Sequence, residues 1–413
     1  MSTSSPSQMI RGRCIAIDLP QVSIRHETGA ASVVIDPTLS PSFGLGDIVE
    51  VQGNQLKVLT PNRAQQNARW MQHVLHPRRL KALQVRSEVE SGIRDFFKGQ
   101  GFHETRTPLL VPSPGMEPHI RPFEVIPASN EDKDRHAFLP TSPEFAMKRL
   151  LVGGLEKIFQ ICPAFRDEPH SVTHHPEFTM LEWYRAYAGY EDIMRDTEEM
   201  FEALAMKIHG RPVIKWQGQE ISVKAPWPKL RVRDLFQDLA SVDLVKCATA
   251  ESLAHECKRL GLPADLSRET WDDLYFKIWL NVIEPKLPAD QAVFVTRYPE
   301  SQAALSVIDS DPDGSRWARR FEAYAGGLEL GNAFEELTDP VEQRRRFVKD
   351  MELRTELYGE DFPKSPLDEG FLGALAEGMP PSGGIAMGVD RIVMLFADEP
   401  EIDYTLWLKS ELT

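Results

Sequence analysis

The sequence is poor in cysteine and contains no long apolar run. Four cysteines occur among 413 residues and none forms a CxxC pair. Neither a structural zinc site nor a disulfide framework is therefore predicted, and a reducing cytoplasm is the expected compartment. No apolar stretch approaches the roughly 20 residues that span a bilayer. The opening MSTSSPSQMIRGR lacks the apolar core of a signal peptide, so we expect neither secretion nor a membrane partner.

The glycine-rich signatures of two common nucleotide-binding folds are also missing. Neither GxxxxGK[ST] nor GxGxxG occurs, which gives no support to a P-loop or a Rossmann site. The formal net charge is −15, which disfavours a general polyanion-binding protein. Residues 1–90 alone carry a charge of +3. This segment could contact an anionic partner, or it could carry ordinary solvated charge.

The pattern along the chain predicts two domains of different kinds. Residues 1–62 contain short β-rich runs and turn signals, which are typical of a small OB-like β-barrel module. Residues 63–76 form a polar linker, and 77–413 mix helices with strands and hairpins, which favours an antiparallel α+β domain. The apolar spacing and the β-rich runs predict helices at 79–98, 192–209, 249–259 and 271–282, and a strand at 292–296.

The first chemically informative stretch, residues 156–187, has the pattern of a β-hairpin. With period two, Leu181 and Trp183 share one face of the second arm, while Phe178 and Glu182 lie on the other. In the first arm Arg166 and Glu168 lie on the face opposite Phe159 and Phe165, and a planar guanidinium suits a phosphate. One interpretation is that the hairpin offers an arginine to a phosphate, a ring to a base and a carboxylate to an amine. The other is an amphipathic hairpin with a surface ion pair.

The second stretch, residues 321–337, contains Gly326-Gly327, a two-residue hairpin turn signal. This turn places Glu322 and Glu329 on one face of neighbouring rungs, where two carboxylates repel unless a cation separates them. A magnesium ion that bridges ATP phosphates is one answer, and pairing with Arg319 or Arg320 is the other. Asn332 and Glu336 have the opposite parity, so they reach the same cavity only if the strand bulges or ends.

The third stretch, residues 382–396, predicts a glycine-rich strand that leads into a helix near Asp390. Arg391 would lie in the first turn of that helix, where free N–H groups favour anions. A buried strand that feeds a core helix explains the same pattern.

Together, in this order, the three stretches resemble the three signature motifs of class II aminoacyl-tRNA synthetases, in the lysyl branch. GFHETRTPLLVPSPG resembles motif 1, FRDE with HHPEF resembles motif 2, and GVDR resembles motif 3. TSPEFAMKRLLVGG, HPEFTMLEWY and GNAFEELTD extend the likeness across residues 77–413. Within this branch the sequence is most similar to the elongation factor P lysine ligases, which attach (R)-β-lysine to that factor. The resemblance implies an antiparallel sheet flanked by helices, and a homodimer built through motif 1.

The resemblance also implies roles for individual residues. Arg166 and Arg391 would act on the ATP phosphates, with Phe178 stacked on adenine and Arg391 beneath its other face or at the γ-phosphate. Glu322 and Glu329 would hold Mg²⁺. Other ATP contacts would come from Asp167, Glu168, His174, His175, Leu330 and Gly388. The amino-acid pocket, with acids suited to two ammonium groups, would comprise Ser142, Pro143, Glu144, Glu182, Tyr184, Asn332, Glu336 and Ala386.

Two residues and the length of the N-terminal segment help to predict which amino acid the chain activates and which acceptor receives it. His175 stands where the family motif has asparagine, and Ala386 stands where lysyl-tRNA synthetases have glycine and elongation factor P ligases have alanine. The N-terminal β-rich segment is about half the length of a lysyl-tRNA synthetase barrel, whereas elongation factor P ligases usually lack one. The leading hypothesis is an ATP-dependent ligase that transfers lysine or (R)-β-lysine to elongation factor P. The alternatives are a lysine–tRNA ligase and a catalytically silent binding protein.

Overall fold

The structure is a computed structural model that describes residues 9–26, 29–36, 38, 42–63, 76–126, 137–359, 362–363 and 365–408. The predicted linker 63–76 lies almost entirely outside these residues. Internal contacts divide the chain into two compact units. The first contains the described residues up to Gln84 together with 404–408, and the second runs from Val85 to Asp403. No helix in the described ranges is long and apolar enough to cross a membrane.

A five-stranded antiparallel sheet forms the first unit, in the order β3-β2-β1-β4-β5. Its strands are β1 (Ile10–Asp18), β2 (Gln21–His26), β3 (Gly29–Val34), β4 (Ile48–Gln52) and β5 (Gln55–Thr60). Alternate residues such as Val22, Ile24, Val49 and Val51 are buried in a core that belongs to this sheet. This confirms the predicted N-terminal β-rich, OB-like module.

The second unit is built on a nine-stranded sheet in the order β13-β14-β16-β17-β18-β10-β9-β6, with β15 paired to β16. All neighbouring strands are antiparallel except β13 with β14 and β6 with β9. The strands of this unit are β6 (His103–Glu104), β7 (Glu124–Val125), β8 (Ala137–Phe138), β9 (Lys157–Phe165), β10 (Glu177–Ala186), β11 (Val213–Trp216), β12 (Gln219–Ser222), β13 (Lys229–Arg231), β14 (Val293–Pro299), β15 (Ile308–Ser310), β16 (Arg316–Ala325), β17 (Leu328–Glu335) and β18 (Ser382–Gly388).

Nine α-helices occur within the described residues. They are α1 (Pro77–Gly99), α2 (Glu144–Val152), α3 (Tyr190–His209), α4 (Val232–Ala240), α5 (Ala250–Arg259), α6 (Trp271–Ile278), α7 (Pro340–Tyr358), α8 (Glu369–Gly378) and α9 (Val389–Ala397). The helices predicted at 79–98, 192–209 and 249–259 are confirmed as α1, α3 and α5. The fourth predicted helix differs at its end, because α6 gives way at Trp279–Ile283 to a π-helical turn.

Helices pack on both faces of the nine-stranded sheet, with α1, α3 and α9 on one face and α2 and α8 against Tyr184 of β10 on the other. The main core combines Leu181 and Trp183 of β10 with apolar residues of α1, α3 and α9. Phe97 of α1 stacks on Phe159 of β9 with ring centroids 5.0 Å apart. Successive strand residues point to opposite faces, so the neighbours of Leu181 and Trp183 along β10 point away from this core. The antiparallel α+β class predicted from the sequence is confirmed.

Candidate active site

The first arm of the candidate site is the hairpin formed by β9 and β10. The two strands pair with Met180 opposite Cys162. Leu181 and Trp183 are fully buried, and Phe178 and Met180 consequently line a cavity on the opposite face of β10. The alternation predicted from period two therefore places one ring and one flexible apolar side chain at the wall of this cavity.

Arg166 follows β9 directly and closes the hairpin. Its backbone N–H donates to the carbonyl of Pro176 at 2.9 Å, and its guanidinium carbon lies 5.2 Å from the centroid of the Phe178 ring. The Nε of Arg166 is buried and makes no hydrogen bond within the described part of the chain. A buried charged donor without a partner is costly, so this position fits an anionic ligand such as a phosphate.

The second arm is the hairpin of β16 and β17, which turns at Gly326 and Gly327. These residues have φ angles of 59° and 77°, which glycine adopts without steric cost. A Cβ at Gly326 would lie 2.6 Å from the Trp216 ring. Tyr324 pairs with Glu329 across the turn.

A bulge in this hairpin answers the question of parity that the sequence left open. The register shifts between Ala323 and Tyr324, so that Glu322 pairs with Asn332. One extra residue on one strand turns the following side chains to the opposite face. Glu329 and Asn332, which lie on either side of the bulge, therefore both line the cavity.

Glu322 and Glu329 have different surroundings. Arg320 Nη2 donates to Glu322 Oε1 at 2.6 Å, and the Tyr324 hydroxyl donates to Oε2 at 2.8 Å. The pairing of Glu322 with Arg320 is thus the alternative that the sequence offered. Glu329 lies at the cavity wall, where burial and the nearby Glu322 carboxylate raise its pKa to about 7.

These two carboxylates suit a magnesium ion only in combination with phosphate oxygens. The described residues contain no group of three or more histidine, cysteine or acidic side chains that could hold a metal ion. Mg²⁺ is usually bound by one or two carboxylates and completes its shell with phosphates and water. Glu329 fits such a role directly, whereas Glu322 would have to exchange its contact with Arg320.

The third arm is the start of α9, where Gly388 is the N-cap and Arg391 lies in the first turn, as predicted. Arg391 Nη1 donates to the carbonyl of Glu329 at 2.7 Å, and its Nη2 lies 2.8 Å from His174 Nε2. Burial and the Arg391 charge lower the pKa of His174, so His174 is a neutral acceptor. Arg391 is thereby held at the cavity by both hairpins.

The three arms converge on one cavity of about 320 Å³. Arg166, Glu329 and Arg391 all line it, and so they do not point into separate regions. The remaining predicted residues at its wall are Ser142, Glu144, Glu168, His174, His175, Phe178, Leu330, Asn332, Ala386 and Gly388.

Three predicted pocket residues lie beneath the cavity rather than at its wall. Glu182 is fully buried and accepts hydrogen bonds from Ser142 Oγ at 2.5 Å and from the Tyr184 hydroxyl at 3.0 Å. Burial and the nearby Glu144 carboxylate raise the pKa of Glu182 to about 8. Glu336 is also buried, and its Oε1 makes no hydrogen bond within the described ranges. Burial likewise raises the pKa of Glu336 to about 8.

Lys148 links two of these acids, and the sequence analysis missed it. Its Nζ lies 2.5 Å from Glu144 Oε1 and 2.5 Å from Glu336 Oε2, and the residue is only 1% exposed. Burial opposes its charge, but the two carboxylates outweigh this and raise the pKa of Lys148. The i,i+4 spacing from Glu144 was the available signal. Lys148 thus neutralises part of the acidic charge below the cavity.

Three other predicted residues make contacts that stabilise the local structure of the chain. Asp167 forms an ion pair with Arg121 Nε at 2.9 Å, and both side chains are more than 40% exposed. Pro143 is the N-cap residue of α2. His175 is 3% exposed, and its Nδ1 lies 2.6 Å from the carbonyl of Glu177. His175 therefore stabilises its own loop while one side of it borders the cavity.

Two further residues were not anticipated from the sequence. Asp390, 1% exposed, accepts hydrogen bonds from Arg86 Nη1 at 2.5 Å and from the backbone N–H of Thr179 at 2.7 Å. Its position beside Arg391 was the only sequence signal. Glu117 also lines the cavity, and it comes from an irregular segment that gives no periodic signal.

Comparisons with known proteins agree with this geometry. Residues 62–408 match the model of the family described as tRNA synthetases class II (D, K and N). A lysine–tRNA ligase from Dehalococcoides mccartyi is 38% identical over 77% of this chain and 62% of its own length. The lysine–tRNA ligase of Rhizobium meliloti is 36% identical over 77% of this chain and 62% of its own. The Coxiella burnetii enzyme of that name is 34% identical over 87% and 76%, respectively.

These relatives are longer than the part that this chain matches, and all three have the same printed name. The chain spans about 62% of the length of the first relatives that it matches. Their printed names correspond to the tRNA alternative rather than to elongation factor P modification. The family match covers the three arms of the cavity and the sheet that carries them. The chain belongs to the class II tRNA synthetase family of the D, K and N type.

Proposed function

We propose that this chain is an ATP-dependent ligase that converts lysine, or a diamino acid of the same class, into an aminoacyl-adenylate. A single observation carries the proposal: one cavity joins an end bordered by Arg166 and Arg391 to an end that overlies Glu182 and Glu336. The cationic end suits a triphosphate. The acidic end suits a molecule with two ammonium groups.

The residues of the cavity would act by positioning and charge. An amino-acid carboxylate is already ionised at neutral pH, so its attack on the α-phosphate, which breaks the α–β phosphoanhydride bond and releases pyrophosphate, needs no general base. Arg166, whose Nε makes no hydrogen bond to any described residue, would donate to the α-phosphate, and Arg391 would hold the outer phosphates. Preorganised donors of this kind lower the barrier without covalent catalysis. Phe178 would provide the stacking surface for adenine.

A magnesium ion would neutralise the charge that develops on the phosphates. Glu329, with its carboxyl group at the cavity wall, would hold this ion, and Glu322 would join only after release from Arg320. At the other end, Glu182 and Glu336 would receive an ammonium group of the substrate.

The acceptor that the comparisons support best is tRNA. The relatives described above carry the name lysine–tRNA ligase, and this matches the alternative reading of the sequence. The second step would then place the 3′-terminal hydroxyl of tRNA against the adenylate carbonyl, with AMP as the leaving group.

Elongation factor P remains a second candidate acceptor because of Ala386. This residue pairs with Glu182 on β10 and with Asn332 on β17, and it lines the cavity. Its methyl group therefore lies among the residues proposed to bind the amino acid. A difference of this size shifts discrimination by about 1–3 kcal/mol, which favours a substrate with altered spacing, such as (R)-β-lysine.

Amino-acid-dependent ATP–pyrophosphate exchange tests the proposal. We expect exchange with α-lysine or (R)-β-lysine, followed by transfer of the labelled amino acid to tRNA or to a lysine side chain of elongation factor P. Transfer to tRNA alone supports the first acceptor, and transfer to the factor alone supports the second. No exchange with any amino acid would leave a catalytically silent binding protein.

Ala386→Gly checks the role of the methyl group. We expect the variant to improve the use of α-lysine relative to (R)-β-lysine by roughly tenfold or more, measured as the ratio of kcat/KM values in the exchange reaction. Ala323→Gly removes a buried methyl group from β16 within the main core and serves as the control. An unchanged preference in Ala386→Gly would show that this position does not select the amino acid.

The resemblance further implies a homodimer, which we include in the proposal. Leu109 and Leu110, which follow α1, are 36% and 58% exposed. An interface of this kind would cover them. Light scattering should then give twice the chain mass of 46.8 kDa, whereas a mass of one chain would remove the dimer from the proposal.

A further inference from the structure

We propose that Glu117 is a specificity-determining residue that binds the substrate ammonium group nearest the reacting carboxylate. This inference rests on the proposed function, since it assigns one contact within the same cavity. Glu117 lines that cavity together with Ser142, Glu144 and Arg166. It thus adds a carboxylate that lies at the wall, unlike Glu182, which lies below it.

The segment that carries Glu117 is fixed at both ends beside functional residues. At one end, the Thr141 hydroxyl and backbone N–H donate to the carbonyl of Pro114 at 2.9 and 3.2 Å. At the other end, the backbone N–H of Asp167 donates to the carbonyl of Arg121 at 2.8 Å. Residues 114–121 therefore run from the neighbour of Ser142 to the neighbour of Arg166, with Glu117 between the two ends of the cavity.

The carboxylate of Glu117 is available to a ligand. It makes no hydrogen bond or ion pair of its own within the described part of the chain, although its backbone carbonyl accepts from Arg354 Nη2 at 3.1 Å. Arg354 Nη1 donates to Ser365 Oγ at 2.7 Å, and this cation attracts the Glu117 carboxylate electrostatically without a direct ion pair among the described residues. By contrast, Glu144 and Glu336 already share Lys148.

Local packing also restricts where this carboxylate can go. A Cβ at Gly115 would lie 2.7 Å from Glu117 Oε2 and 2.6 Å from Thr141 Oγ1. The side chain of Glu117 therefore folds back over Gly115. Glu117 is also close enough to Glu144 to raise its pKa, in addition to burial. An ammonium group between Glu117 and Glu144 would relieve this repulsion.

The placement distinguishes the two ammonium groups of the substrate. Asp167 binds the Arg121 end of the segment, and the preceding residue, Arg166, would border the place where the reacting carboxylate meets the α-phosphate. The distal ammonium would reach down to Glu182 and Glu336. The amino group next to the carboxylate would then lie at the level of Glu117. Glu117 would therefore require this amino group, while Glu182 and Glu336 would require the distal one.

Glu117→Gln tests the assignment in the ATP–pyrophosphate exchange reaction with lysine, 6-aminohexanoate and norleucine. 6-Aminohexanoate lacks the amino group next to the carboxylate, and norleucine lacks the distal one. We expect the variant to raise KM for lysine and norleucine by about tenfold or more, as for loss of a charged hydrogen bond. The kcat should stay within about twofold, and the values for 6-aminohexanoate should not change.

Two further variants separate a specific contact from a general effect. Asp350→Asn removes a carboxyl group that interacts electrostatically with Glu117 but is absent from the cavity wall. It should keep the wild-type preference for lysine over 6-aminohexanoate. Glu117→Asp keeps the charge and should retain more of that preference than Glu117→Gln.

The outcomes distinguish failure of this inference from failure of the proposed function. No exchange by the wild-type protein with any amino acid overturns both. Wild-type exchange with lysine that Glu117→Gln leaves unchanged overturns the inference alone. An equal loss with lysine and with 6-aminohexanoate also overturns it, because the contact would then not belong to the amino group next to the carboxylate. Thermal melting of Glu117→Gln checks that the variant is folded at the assay temperature, so that a change in KM reports the contact.

Discussion

Two carboxyl groups below the cavity, those of Glu182 and Glu336, have pKa values well above the ordinary range. Burial raises the pKa of Glu182 and of Glu336 to about 8, against an ordinary value near 4.5. The folded chain therefore holds protons between pH 4.5 and 8 that the unfolded chain releases. Where the folded state binds more protons, the free energy of unfolding falls as pH rises. A substrate ammonium group would favour the ionised carboxylates, so substrate binding should strengthen over the same range.

We expect Glu182→Gln to reduce this pH dependence. Since one pKa unit corresponds to about 1.4 kcal/mol, each group contributes a slope of up to about 1.4 kcal/mol per pH unit. Urea denaturation between pH 5 and 8 should show that the wild type loses stability with rising pH and that the variant loses less. Glu356→Gln, an exposed substitution on α7, is the control. A full wild-type slope in Glu182→Gln would contradict the assigned protonation.

At the scale of elements, two side chains fix α9 to the rest of the site. Asp390 in its first turn accepts from Arg86 on α1 and from the backbone of β10. The side chains of Arg86 and Asp390 are 8% and 2% exposed. Arg86 Nε also donates to Glu90 Oε1 at 2.8 Å, so loss of the Asp390 carboxylate would remove part of the compensation of this buried guanidinium. The position of Arg391, the next residue, therefore depends on this pair.

Asp390→Asn should destabilise the chain by about 2 kcal/mol and slow the proposed exchange reaction by at least tenfold, because Arg391 would lose its fixed position. The free energy of unfolding from urea denaturation checks the first effect. Glu369→Gln breaks the pair of Arg344 and Glu369, whose side chains are 47% and 64% exposed, and should have no measurable effect. A loss below about 1 kcal/mol in Asp390→Asn would contradict the role of the pair.

The same elements illustrate what a sequence can reveal about this fold. The hairpin at residues 321–337 was predictable because Gly326 and Gly327 mark the turn locally and because strand residues alternate. The bulge that brings Asn332 to the cavity was not predictable, since it depends on pairing between strands. Likewise, Arg166 and Arg391 stood out through their motifs. Lys148 and Glu117 did not, because their importance arises from groups that meet only in the folded chain.

On the scale of the whole molecule, the N-terminal part of the sequence and the remainder differ in net charge, and the cavity belongs to one of the two compact units. Residues 1–90 carry +3, which leaves −18 on the remainder. The five-stranded sheet has its own core, and every residue that lines the cavity belongs to the second compact unit. Ligand binding stabilises the structure that forms the site, and separate cooperative units open separately. The division into two compact units therefore predicts a measurable difference between them.

Hydrogen exchange measured with and without ATP, Mg²⁺ and lysine tests this difference. At a ligand concentration about 100 times Kd, stabilisation of about 2.7 kcal/mol should slow exchange about 100-fold in amides that open with the second unit. We expect this protection in β9, β10, β16, β17 and β18, and none in β1–β5. Glutamate in place of lysine is the control and should give only the protection due to ATP. Equal protection of β1–β5 and β10 would instead mean that the two units unfold together. Ligand binding raises the free energy of unfolding of both units only if they share one cooperative transition.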